Sequence, residues 1–200
     1  MRRIRTYGDA GQAFPIYITV VGGLLFLAFA YFAVGQAAAN RNDAQTAADA
    51  AALAAAQDRR DQLAGAWLEN VLDPTKWGDI FDGEAEGLGP SCWRADELAA
   101  QNDADVLSCL PGALRYEVEV ETNKSVGDSV VPGTEERRSN ASATAVIEPR
   151  CVFKLPAEDA EDGLLPLLTC KDDKEWELDP EGAAGLLPKP EDLFDVHLAE

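Results

Sequence analysis

The sequence predicts an α+β fold: a long N-terminal helix that crosses a membrane and continues as a stem, then a small disulfide-bonded antiparallel β domain. Three observations predict it. Residues 14–34 carry no charged side chain. Residues 37–72 are alanine-rich and meet no helix breaker until Asp73-Pro74. Beyond them come segments of alternating polarity and all four cysteines of the chain. The implied division is a cytoplasmic tail at 1–13, a transmembrane helix at 14–34, a helical stem at 35–73 and an acidic extracytoplasmic α+β domain at 74–200.

The apolar run comes first. As a helix, residues 14–34 span roughly 31 Å, the thickness of a bilayer's hydrocarbon core. Pro15 falls in the first turn, where its missing N–H is no loss, and Tyr17 and Tyr31 stand near the two ends, where amphipathic rings suit the membrane interface. Arg2, Arg3 and Arg5 precede the run with only Asp9 against them, which predicts a cytoplasmic N-terminus, an exported C-terminus and a single-pass protein of the cell membrane. The rival is a cleaved signal peptide, with small residues at Gly35, Ala37, Ala38 and Ala39. Against it, the run exceeds an h-region of about 7–15 residues, and the helical pattern passes straight through the cleavage point. Prepilin-type processing near Gly11 or Ala13 would call for a glutamate five residues into the mature helix, and that position is Ile18. Gly22, Gly23, Ala28 and Ala30 form small-residue surfaces that would let a second membrane helix approach.

The stem follows without interruption. Alanine has the best helix propensity. Arg41, Gln45 and Asp49 recur every four residues as a polar stripe, and Leu63, Trp67 and Val71 do so as an apolar one. Ala47, Ala48, Ala51, Ala52 and Ala55 form a smooth face. Two explanations stand for it: bare helix propensity, or tight helix packing within an assembly. Asp73-Pro74 ends the helix.

Past the stem, 75–90 is glycine-dotted and acidic and reads as a loop, and 93–102 as a short helix. In 114–122, Tyr116, Val118 and Val120 alternate with Arg115, Glu117, Glu119 and Glu121, the pattern of a strand with one buried face. Residues 123–136 read as a polar turn or long hairpin loop, 139–147 as the returning strand, and 150–155 as its extension past Pro149. The acidic remainder, 156–200, holds enough apolar residues for short strands at 164–170, 175–178 and 193–198.

Cys92, Cys109, Cys151 and Cys170 all lie on the predicted exported side, where an even count suggests bridges. Three connectivities are possible. Sequential pairing closes the two shortest loops and is the one expected. A zinc site would normally show Cys-x-x-Cys pairs, and none is present.

Charge and chemistry narrow the function. Of 17 Lys+Arg and 36 Asp+Glu, the three N-terminal arginines and Asp9 precede the span, leaving 14 against 35 from Gln36 onward. So acidic a surface repels phosphate backbones, which argues against nucleic acid and favours solubility, cations or basic partners. The one histidine, His197, reads as structural or exposed. Asp103 with Asp105, and Asp172 with Asp173, do not fit the twelve-residue calcium loop. No glycine spacing suits a phosphate. No cofactor, metal or small-molecule substrate is therefore expected. The sequons Asn123-Lys124-Ser125 and Asn140-Ala141-Ser142 carry little weight in a chain of bacterial character.

Several segments together carry a family resemblance. They are Gly11-Gln12-Ala13, the apolar span, and then Asn42-Asp43-Ala44-Gln45-Thr46 running into Ala47-Ala48-Asp49-Ala50-Ala51-Ala52-Leu53-Ala54-Ala55-Ala56. Leu98 to Val106, Cys109 and the strand at 116–120 add to the pattern. The chain resembles the TadE/TadG-like proteins of Tad (Flp) pilus assembly, in their short actinobacterial form. The resemblance implies a non-enzymatic envelope protein, pilin-like or accessory, whose partners are the membrane and other pilus or secretion-machine subunits. The alternative is a membrane-anchored or secreted module that binds a cation, a wall polymer or a basic protein.

Overall fold

A computed structural model of the protein describes residues 13–125, 137–155, 165–171, 174–178 and 187–199. The N-terminal arginines, Asp172 and Asp173, and most of the expected loop at 123–136 lie outside them.

The apolar run and the alanine run form one helix, α1 (Ala13–Glu69), of 57 residues. It is about 85 Å long at 1.5 Å per residue. After Pro15 it meets no proline, and strong helix formers dominate its second half. Asn70 shapes its end: the side-chain Nδ2 donates to the Ala66 carbonyl at 2.8 Å, and the Asn70 carbonyl accepts from Trp77 Nε1 at 3.0 Å. Each carbonyl also accepts a backbone N–H, Ala66 from Asn70 at 3.1 Å and Asn70 from Asp73 at 2.9 Å, so the last turn is held twice over. A 3-10 turn (Pro74–Lys76) follows, then α2 (Trp77–Phe81) and α3 (Cys92–Gln101).

The main sheet contains β1 (Ala104–Pro111), β2 (Arg115–Thr122), β3 (Asn140–Pro149) and β7 (Phe194–Leu198), all antiparallel, in the order β1-β2-β3-β7. Alternation in β2 buries Tyr116, Val118, Val120 and Thr122 and leaves Arg115, Glu117 and Glu119 exposed. The register sets Tyr116 opposite Ala145 and Val118 opposite Ala143 on the same inner face. The upper part of α1 lies across that face, with α3 along its other side. Ala47, Ala48, Ala51, Ala52 and Ala55 have no exposed surface. Alanine on the helix meets alanine on β3, so the backbones can approach closely with no void to fill.

The second sheet is β4 (Cys151–Phe153), β5 (Leu168–Cys170) and β6 (Lys174–Trp176). It joins the core through aromatic contacts. Trp67 meets Trp77 at 5.4 Å between ring centroids, Trp77 meets Phe153 at 5.2 Å, and Phe81 meets Phe194 at 5.2 Å. A short helix, α4 (Pro190–Leu193), leads into β7.

The fold class and the two principal strands are as expected, and three local expectations are corrected. Residues 75–90 are not simply a loop: α2 buries Trp77, Ile80 and Phe81 there. This segment is anchored again at Gly83, whose φ is +81° and whose Cβ, if it had one, would sit 2.5 Å from the Ala113 carbonyl oxygen. Residues 150–155 do not prolong β3. Beyond Pro149 the Arg150 N–H is donated to the Leu193 carbonyl at 2.8 Å, and the chain crosses into the second sheet. The third correction is β1, a strand with no counterpart in the sequence reading. It has a bulge between Val106 and Ser108. Ala104 and Val106 face inward, and the extra residue restores Cys109 to the same face, opposite Val118 and within reach of Cys92 on α3. A bulge that re-aims one side chain in this way breaks the period of two by which a strand is recognised.

Candidate functional site: an exposed apolar rod and the polar seam above it

The two halves of α1 have opposite surroundings. Along 14–34 the large apolar side chains point into open space: Phe14, Phe26, Phe29, Tyr31 and Val34 are all more than half exposed. Among the described residues α1 is the one helix long and apolar enough to cross a membrane. Nothing approaches within 4 Å of where a Cβ would stand on Gly22 or Gly23, so this small-residue surface is open.

The first α1 side chain buried against the domain is Asn40. Its Nδ2 donates to the Lys124 carbonyl at 3.0 Å. Thr122 Oγ1 donates to the same carbonyl at 2.9 Å and accepts from the Ser139 N–H at 3.1 Å. A polar cleft of about 310 Å³ opens here between α1, the end of α3 and the end of β2, lined among others by Asp43, Thr46 and Asn102. At its rim Lys124 Nζ meets Asp103 Oδ2 at 2.6 Å, and this hydrogen bond and charge hold the ammonium above the ordinary lysine range. Asp103 has a left-handed backbone, φ +54°, which aspartate tolerates better than most residues. The sequence reading passed over Asn40. Its signal was a residue of mediocre helix propensity set into a run of alanines.

The cysteines form two disulfides, Cys92–Cys109 and Cys151–Cys170, the sequential pairing. The first ties α3 to β1, and the second joins the paired strands β4 and β5. His197 is exposed on β7, with Nδ1 3.3 Å from Asp195 Oδ2. The register sets Asp195 opposite Glu148, so the three residues gather on the outer face with ligating atoms within 4.8 Å of one another. An imidazole and two carboxylates are a donor set that transition metals accept. Here, however, Lys171 Nζ already stands 2.9 Å from Glu148 and supplies a counter-charge.

Residues 11–58 match the family model described as Putative Flp pilus-assembly TadE/G-like. The match covers the apolar rod and the alanine run as far as Asp58, and it does not reach Leu98–Val106, Cys109 or the strand at 116–120, which also carry the resemblance. No curated protein matches the chain. No solved structure matches it either. The matched segment therefore ends on the part of α1 that packs into the core. Its lower part is the exposed rod, and its upper part is the helix around which the β domain is built.

Proposed function

We propose that the protein is a non-enzymatic, membrane-anchored envelope component of a Tad/Flp-type pilus assembly system or a related secretion machine. The observation that carries this is the family match over 11–58, which falls on a helix that is bare and apolar below and buried above. The rod anchors the protein. The β domain, held at a fixed attitude by the same helix, offers an acidic surface to other subunits. Arg2, Arg3 and Arg5 before the span support a cytoplasmic N-terminus, and two disulfides suit a domain outside the cytoplasm. On this division 1–13 is the tail, 14–34 the span and 74–200 the outer domain. Residues 35–73 link them, and much of that stretch is also core.

Deletion of the gene in a strain that builds such pili is expected to remove or shorten surface filaments, scored by electron microscopy and restored by the full chain. Filaments of normal number and length in the deletion strain would sink the proposal. Protease added to intact spheroplasts should digest the β domain. A domain protected until the membrane is permeabilised would reverse the orientation.

A further inference from the structure

The one histidine of the chain stands where the main sheet gathers two acids. Glu148 on β3 and Asp195 on β7 are opposite one another in the register, and His197 follows Asp195 on the same outer face. Their ligating atoms lie within 4.8 Å of one another, and each side chain is about half exposed. The backbone beneath them is fixed. Ile147 and Phe194, next in sequence to the two acids, are buried. Beyond His197 the Ala199 N–H donates to the Thr144 carbonyl at 2.8 Å. The core therefore sets the three positions, and side-chain rotation alone brings the donors together.

Two carboxylates directly opposite across a strand pair repel each other. Lys171 Nζ, 2.9 Å from Glu148 Oε1, offsets one of them. Against Asp195, among the described residues, stands the His197 ring at 3.3 Å. The segments that carry these groups, 145–151, 168–175 and 189–200, hold twice as many Asp+Glu as Lys+Arg. Lys174 within them is already engaged with Asp192 at 2.8 Å. On β2, Arg115 shares a row with His197, but Val146 stands between them. Acids outnumber cations around the group, which favours a cation as its ligand.

We propose that Glu148, Asp195 and His197 form a zinc-binding site that pins β7 to β3. A zinc ion bonds imidazole nitrogen and carboxylate oxygen at about 2.0–2.2 Å, which sets neighbouring ligand atoms roughly 3.4 Å apart. The 3.3 Å between His197 and Asp195 is already that spacing, and rotation of the exposed Glu148 side chain supplies the third donor. Glu148 can keep Lys171 on Oε1 and turn its other oxygen to the metal. Three protein ligands leave a fourth position for water. One nitrogen with two oxygens suits zinc better than calcium, which takes only oxygens and more of them. All four cysteines are in disulfides, so no thiolate competes. β7 is an edge strand of the sheet, and a metal here fastens it. The site does not depend on what α1 spans or on the pilus reading.

The test uses the full chain in detergent micelles, made without a polyhistidine tag. Zinc is titrated while the single imidazole is followed by NMR of its ring nitrogens and the unfolding midpoint by circular dichroism. One equivalent of zinc is expected to shift the imidazole signal and to raise the midpoint, because a metal that binds only the folded chain stabilises it. Both effects should be lost in Glu148→Gln/Asp195→Asn, whose metal-free spectrum should match the parent's. Lys171→Gln should tighten binding about tenfold at low salt, the effect of one charge roughly 6 Å from a divalent ion in water. Calcium at the same concentration should leave the imidazole signal in place. An imidazole signal unmoved by millimolar zinc would overturn the proposal. So would zinc binding that is unchanged in His197→Ala or in Lys171→Gln, the mark of a diffuse acidic surface. A signal that calcium shifts equally would overturn the choice of metal.

Discussion

The lower and upper halves of α1 share a backbone and differ in almost everything else. The lower half is made of Phe, Leu, Ile, Val and Tyr, and none of it is covered by protein. The upper half is largely alanine, and most of it is buried. In an aqueous protein the larger residues would be the natural core and the alanines a natural surface. The inversion shows that hydrophobicity alone does not decide burial. The lower half matches lipid, where bulk and apolarity are wanted all round. The upper half matches a sheet and a second helix at close range, where small size is wanted.

The sharpest way to break this contrast is to place the same charge in each half. Ala51→Asp puts an unpaired carboxylate where no surface is exposed and should unfold the β domain, at a cost of several kcal/mol, while membrane retention survives. Leu24→Asp should do the reverse, weakening insertion by about 2.5–3.5 kcal/mol and sparing the domain. Carbonate extraction and circular dichroism of both variants decide the matter, and a variant that loses both properties would erase the distinction. Truncation of aromatic rings comes next. Trp67→Ala empties part of the Trp67–Trp77–Phe153 cluster and should lower domain stability by about 3–5 kcal/mol, whereas Phe29→Ala should leave the denaturation midpoint unmoved.

Removing the first bridge should have an intermediate effect. Cys92→Ser/Cys109→Ser opens a loop with a separation of 17 residues and should cost about 3 kcal/mol, read as a lower midpoint in urea with unchanged vesicle binding. The smallest effect concerns Asp192, whose carboxyl is held below its ordinary range by a hydrogen bond from Lys174 and another from the Lys189 backbone. A carboxylate depressed in the folded state contributes stability above its unfolded pKa, about 3.9, and loses it as pH falls through the folded value. Asp192→Asn should therefore be slightly less stable than the parent at neutral pH. The gap should close in acid melts below about pH 4.

What could be read in advance follows the same division. The rod, the strand at Tyr116–Val120 and the pairing of the cysteines were legible because each depends on local period, length or loop size. The alanine face was legible as a surface but not in its destination. Sequence left it between simple propensity and packing in an assembly, and in the structure Ala47, Ala48, Ala51, Ala52 and Ala55 lie inside the chain's own core. That outcome depends on β3 and β7, far along the chain. β1 was hidden by the bulge at Leu107, and α2 by its five-residue length amid glycines. The Glu148, Asp195 and His197 group exists only through the register of β3 with β7. The family resemblance adds what periodicity does not, a biological setting for the rod, and the match over 11–58 falls on its N-terminal part and not on 98–120.

The placement of alanine also bears on how such a protein is made. Synthesis delivers α1 first, while β7, which closes the sheet around it, arrives last of the described elements. During that interval the future core is bare. A helix of leucine or isoleucine waiting beside a membrane would stick to lipid, to its neighbours or to the translocation machinery. Alanine presents little apolar area per residue yet holds the helix by propensity alone. The upper half of α1 can thus stand in water as a preformed template until its strands appear. The residues that make the finished core close-packed also keep the unfinished one soluble.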